Sequence, residues 1–120
     1  MAKKILVAED IRATREVVAF LLSNRGFQVL QAGNGGDALR MAREQHPDLM
    51  ILDAEMPDKS GYQVYRELQS DEACRALPVL LLVAKSDAAD LTRSVPPADR
   101  LVAKPFTAHD LINRIQKVLG

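Results

Sequence analysis

Three groups of charged residues stand out by type and setting: the pair Glu9-Asp10, the lone Asp53, and Lys104 ahead of Pro105-Phe106. Each follows a short apolar run, over Lys4 to Ala8, Leu49 to Leu52 and Arg100 to Ala103. Such a run bounded by turn residues reads as a strand covered on both faces, the habit of parallel sheets. In those sheets, ligands and chemistry gather beyond the carboxyl ends of the strands. Singly the residues mean little, because an acidic pair after a strand is more often a helix cap or a solvated loop, and a Lys-Pro pair is usually surface. Their shared position at strand ends is what argues for a site. Three carboxylates drawn together repel, by about 4 kcal/mol for like charges roughly 4 Å apart at an effective dielectric of about 20. A lone lysine does not cancel that. A hard divalent cation does, and carboxylates with a carbonyl and waters suit octahedral Mg²⁺, or Mn²⁺ in its place.

The rest of the chain supplies the elements that would position these groups. After the first strand, a helix is expected over Ile11 to Asn24, with Val17, Val18, Leu21 and Leu22 at helical spacing and Gly26 ending it. Phe27 to Ala32 reads as a second strand, closed by a turn at Gly33, Asn34 and Gly35. A helix over Asp37 to Gln45 is stopped by Pro47, and the strand ending at Asp53 runs through Pro57, Asp58 and Gly61 into a helix over Tyr62 to Ser70. Leu80 to Val83 and Arg100 to Ala103 are the last strands, and Thr107 caps a final helix with Leu111, Ile112, Ile115 and Val118 on one face. The alternation predicts a parallel α/β sheet with helices on both faces and right-handed crossovers. Between Ala84 and Asp99 the rhythm falters: Asp87 to Ser94 carries few large apolar residues and runs into Pro96-Pro97. A fourth helix there is expected to be short or irregular.

Composition narrows the function classes. A chain of 120 residues with 48% hydrophobic and 27% charged content reads as one domain over residues 1–120, able to bury a core without staples. Lys plus Arg and Asp plus Glu are both 16, so no global field favours nucleic acid or an anionic membrane. The single Cys74 excludes an internal disulfide, and no apolar run approaches membrane-spanning length. A cytoplasmic protein with no direct nucleic-acid partner is the expectation. Met1 reads as a natural start, whereas Gly120 could be a cut before an effector domain.

Glu9-Asp10, Asp53 with Met56-Pro57 and Gly61 behind it, and Lys104-Pro105-Phe106 resemble, in order and across essentially the whole chain, the receiver domain of two-component response regulators. The resemblance implies a flavodoxin-like five-stranded sheet of order 2-1-3-4-5. It implies that Asp53 accepts a phosphoryl group from a histidine kinase, a histidine phosphotransfer protein or a small donor such as acetyl phosphate. Asp10 and Asp53 would ligate Mg²⁺, Glu9 would act largely through water, the Glu55 carbonyl would complete the protein's share, Lys104 would contact a phosphoryl oxygen, and the Lys104-Pro105 bond would be cis. Such a protein catalyses its own phosphorylation and dephosphorylation but is not a turnover enzyme. Phosphoryl transfer needs alignment and charge neutralisation above all, which fits this set.

Two positions depart from the family pattern. Where similar domains end the fourth strand with Thr or Ser this chain has Val83, and where they carry an aromatic residue three positions before the lysine it has Leu101. A hydrogen bond to a charged group contributes roughly 1.5–3 kcal/mol, comparable to a typical coupling energy between sites of about 1–3 kcal/mol. The usual relay from phosphoryl group to output face, and to an output partner that the sequence does not reveal, is therefore expected to be silent, unless Ser86 offers a hydroxyl from the loop. Glu55 and Lys85 stand where similar domains tune the phosphoryl lifetime, although both would more often be simply solvated.

The competing readings are a pseudo-receiver that binds partners without phosphorylation, a haloacid-dehalogenase-type phosphatase and a flavodoxin-like electron carrier. The phosphatase pattern fails because Glu55 is followed by Met56-Pro57, and the flavodoxin pattern because no hydroxyl-rich loop follows the first strand. His46, His109, Cys74, Tyr62 and Tyr65 read as surface or packing residues.

Overall fold

The computed structural model describes residues 2–84, 96–97 and 100–120. The expected fourth helix, Lys85 and Ser86 lie outside the described residues. In chain order the elements are β1 (Lys4–Ala8), α1 (Arg12–Asn24), β2 (Gln28–Ala32), α2 (Gly35–Gln45), β3 (Leu49–Asp53), α3 (Gly61–Ser70), β4 (Val79–Ala84), β5 (Leu101–Lys104) and α4 (Ala108–Leu119). The strands form one parallel sheet ordered β2-β1-β3-β4-β5.

The sheet is covered on both faces because its strands are apolar on both. In β3, Met50 and Leu52 join Ala38, Leu39, Val64 and Leu68 of α2 and α3. Leu49 and Ile51 point the other way, to Val18 and Leu22 of α1 and Leu111, Ile112 and Ile115 of α4. Burying one such aliphatic side chain is worth about 1.5–3 kcal/mol, so the central strand has no alternative placement. Asp53 is the point where this burial pattern meets a charge.

Helix starts follow their caps. Asn34 accepts the amide of Asp37 at 2.8 Å, Ser60 that of Gln63 at 3.2 Å, and Thr107 forms a reciprocal capping box with Asp110. These caps move α2 and α3 one or two residues earlier than expected, so Gly35 is helical rather than part of a turn. Strand β5 is shifted by one residue, to Leu101–Lys104, which makes Lys104 its last residue. Val17 is 61% exposed while Val18 and Leu22 are buried: the apolar stripe of α1 is wider than the part of it that packs on the sheet. Gly26, with φ of 88°, ends α1 as expected.

Candidate functional site

The adjacency of β1, β3, β4 and β5 brings four side chains from distant parts of the chain to one end of the sheet. Glu9 and Asp10 leave β1, Asp53 closes β3 and Lys104 closes β5. Glu9 and Asp53 are 3% and 2% exposed, whereas Asp10 lies open to solvent. One carboxylate oxygen from each of the three falls within 4.8 Å of the others. Oxygens that share one octahedral Mg²⁺ at about 2.1 Å stand about 3 to 4.2 Å apart, a spacing that lies inside this 4.8 Å limit. All donors are hard oxygens, and one carboxylate stays wet. The donor set fits Mg²⁺ or Mn²⁺.

On its other side Asp53 is held by cationic and amide donors. Lys104 Nζ donates to both Asp53 oxygens, at 2.9 and 2.8 Å, and the Glu55 amide donates to Oδ1 at 2.9 Å. Burial pushes the Asp53 carboxyl up, but hydrogen bonds from Glu9, Lys104 and the Glu55 amide outweigh it and hold the group below the usual carboxylate range. Glu9 goes the opposite way. Burial, then its hydrogen bond and repulsion with Asp53, push it up to about 8, against the Ile11 amide that donates to Oε1 at 3.0 Å. At neutral pH, without a cation, Glu9 therefore carries the proton and Asp53 the charge. This is how the fold bears the repulsion inferred from the sequence.

The loop that follows Asp53 is fixed at three points. The Gly61 amide donates to the Ala54 carbonyl at 2.8 Å, and a Cβ at Gly61 would collide with the Asp53 carbonyl, so only glycine lets α3 start this close to β3. Asp58 accepts the Gly35 and Gly36 amides at 2.9 and 3.0 Å, which draws its carboxyl down to about 2. Lys59 pairs with Glu67 at 2.9 Å. The sequence shows Asp58 only as a turn residue, because its partners are backbone amides more than twenty positions away.

Above Asp53 opens a cleft of about 610 Å³, lined by Asp10, Ile11, Glu55, Met56, Pro57, Tyr62 and Lys104 among others. Tyr62 thus borders the site as well as packing α3. The Glu55 side chain is exposed and its amide faces Asp53, while its expected partner Lys85 falls outside the described residues. Val83 is 1% exposed and Leu101 half-buried, both in the apolar cluster on the α2/α3 face. The Lys104-Pro105 peptide is cis. His46 and His109 are exposed, and neither joins a cluster of possible metal ligands among the described residues.

The fold agrees with comparison to known proteins. The family model described as the response regulator receiver domain matches residues 5–116. The chain belongs to that family. The receiver domain is 37% identical over 120 residues to the phosphate regulon transcriptional regulatory protein PhoB of Escherichia coli, covering 99% of this chain and 52% of that one. It is 34% identical to the DNA-binding response regulator MtrA of Mycolicibacterium smegmatis, covering 97% and 50%. The chain thus spans about half the length of the curated relatives it matches. Because MtrA is named as DNA-binding, the expectation of no nucleic-acid partner finds no support there. Among solved structures, the receiver domain of a sensor histidine kinase from Pseudomonas aeruginosa superposes with a TM-score of 0.87 at 27% identity, over 100% of this chain and 99% of that one. That structure has a magnesium ion coordinated in its active site cleft. No helix among the described residues is long and apolar enough to cross a membrane.

Proposed function

We propose that residues 1–120 form a single receiver domain in a two-component phosphorelay, with Asp53 as phosphoacceptor. The observation that carries this reading is one buried carboxylate set between two acidic neighbours within 4.8 Å and a lysine at 2.8 Å. An Asp53 oxygen attacks phosphorus in line as the donor's P–N bond breaks; the imidazole leaves with the electron pair and takes its proton from solvent. Lys104 releases the carboxylate and turns to a phosphoryl oxygen, so its charge follows the charge being transferred. Glu9 gives up its proton when the cation binds. Asp10, Asp53 and the Glu55 carbonyl would hold Mg²⁺, with Glu9 acting largely through water. When bound, the ion neutralises charge on the phosphoryl oxygens.

The donor in this reading is a histidine kinase or a histidine phosphotransfer protein. Ile11, which borders the cleft, and Val17 and Phe20 of α1 are 58–66% exposed, apolar surface suited to a helical protein carrying the phosphohistidine. A cytoplasmic setting goes with this role. Incubation with acetyl phosphate and Mg²⁺ should add one phosphoryl group by intact mass, in the peptide containing Asp53, and none in Asp53→Asn. Label on another residue would overturn the assignment.

A second reading, a pseudo-receiver that binds its partner without phosphorylation, draws support from Val83 and Leu101. Neither carries a group that can hydrogen-bond a phosphoryl oxygen. Both already fill the apolar cluster. In either reading phosphorylation is not relayed by the Thr/aromatic route.

A further inference from the structure

How the acidic loop is held is a separate matter from what it holds. Helix α1 begins without a side-chain cap, because Ile11 occupies the N-cap position. The restraint on Glu9 comes from elsewhere. Its amide donates to the Ala32 carbonyl at 3.0 Å, and its own carbonyl accepts Arg15 Nη1 at 2.8 Å. Arg15 reaches back from the first turn of α1, and its Nε also donates to Gln31 Oε1 of β2 at 3.3 Å. The guanidinium lies over Gly33, where a Cβ would stand 3.2 Å from Nη1. The Glu9 peptide is thereby gripped from both sides, while its side chain accepts the Ile11 amide.

We propose that Arg15 is a positioning residue of the metal site: strapped between the Glu9 carbonyl and Gln31, over a bare Gly33, it sets the Glu9-Asp10 loop toward Asp53 before a cation arrives. This rests on the reading of Glu9, Asp10 and Asp53 as the cation-binding trio. The guanidinium meets a carbonyl rather than a carboxylate, so it orders the loop without neutralising the oxygens a cation would use. Loop order gained on folding is not lost again on binding, which is the source of the affinity gain.

The test compares wild type, Arg15→Met, Arg15→Lys and Gly33→Ala by Mg²⁺ titration followed through amide shifts, and by hydrogen exchange of the Ile11 amide without metal. Groups that orient a ligand without touching the metal typically control affinity by about 10–100-fold. Arg15→Met is expected to weaken Mg²⁺ binding by about tenfold, at the lower end of that range, and to speed Ile11 exchange. Arg15→Lys keeps the charge but cannot span both acceptors, and should recover only part of the loss. Gly33→Ala crowds the guanidinium without touching Arg15; it should weaken binding in the same direction and add little to Arg15→Met. Unchanged binding and exchange in Arg15→Met, or full recovery in Arg15→Lys, overturns the proposal. Failure of the wild type itself to bind Mg²⁺ would instead overturn the metal reading, and Ile11 exchange would still decide whether Arg15 holds the loop.

Discussion

The Asp53 end of the sheet and the β4–β5 flank beside it are built on opposite principles. Around Asp53, donors arrive from β5, from the Glu55 amide and from Glu9, and each polar contact restrains a different piece of chain. On the flank, Val83 and Leu101 both belong to a continuous apolar cluster with Leu81 and Val64. A charge arriving at Asp53 therefore has polar partners on the β1 and β5 sides and none at Val83. In the proposed reading, accepting a phosphoryl group and reporting it are separable properties: the first rests on the acidic trio and Lys104, the second on a polar contact that can exist in two arrangements.

The largest effect that would break this comparison is at Lys104. Lys104→Ala leaves Asp53 buried without its cation, and phosphoryl uptake from acetyl phosphate should slow by about 100-fold or more, as for loss of one charge-stabilising donor. Uptake near the wild-type rate would mean that Asp53 does not depend on its cationic side. Next is pH. Glu9 is raised from 4.5 to about 8, so the folded, metal-free protein binds a proton that the unfolded chain has released. Its contribution to metal-free stability is complete below pH 4.5 and is lost as pH rises through about 8. Mg²⁺ affinity runs the other way, falling by up to about tenfold per unit as pH drops below 8, because binding must expel that proton. Calorimetric titration in buffers of different ionisation enthalpy checks both the slope and the released proton.

A smaller effect sharpens the flank. Val83→Thr buries a hydroxyl where the native side chain is 1% exposed, and should cost about 1–3 kcal/mol in urea unfolding of the metal-free protein. If the hydroxyl then finds a phosphoryl oxygen, part of that loss should return with beryllofluoride bound. The smallest effect is at Asp58. Its carboxyl is lowered from 3.8 to about 2, so what it contributes to stability is present above pH 3.8 and fades as pH falls through about 2. Asp58→Asn should flatten acid unfolding over that interval alone, as read by circular dichroism.

What the sequence made legible follows the same division. The convergence of Glu9, Asp10, Asp53 and Lys104 could be read because each ends an apolar run, and strand ends in a parallel sheet share one edge. The clamps escaped notice. Arg15 acts on a carbonyl, and Asp58 on amides of α2, and backbone atoms leave no mark on residue type. Val17 misled for another reason. Helical periodicity shows which residues share a face, but how much of that face packs on the sheet decides which of them are buried.

The most direct measurement is an amide NMR titration with Mg²⁺ followed by beryllofluoride, which mimics a phosphoryl group on a carboxylate such as the one proposed at Asp53. Shifts are expected to be confined to the surroundings of Glu9, Asp10, Asp53 and Lys104, with Leu101 and α4 still. Shifts spreading through Leu101 into α4 would show a relay that works without the hydroxyl, and would contradict that expectation.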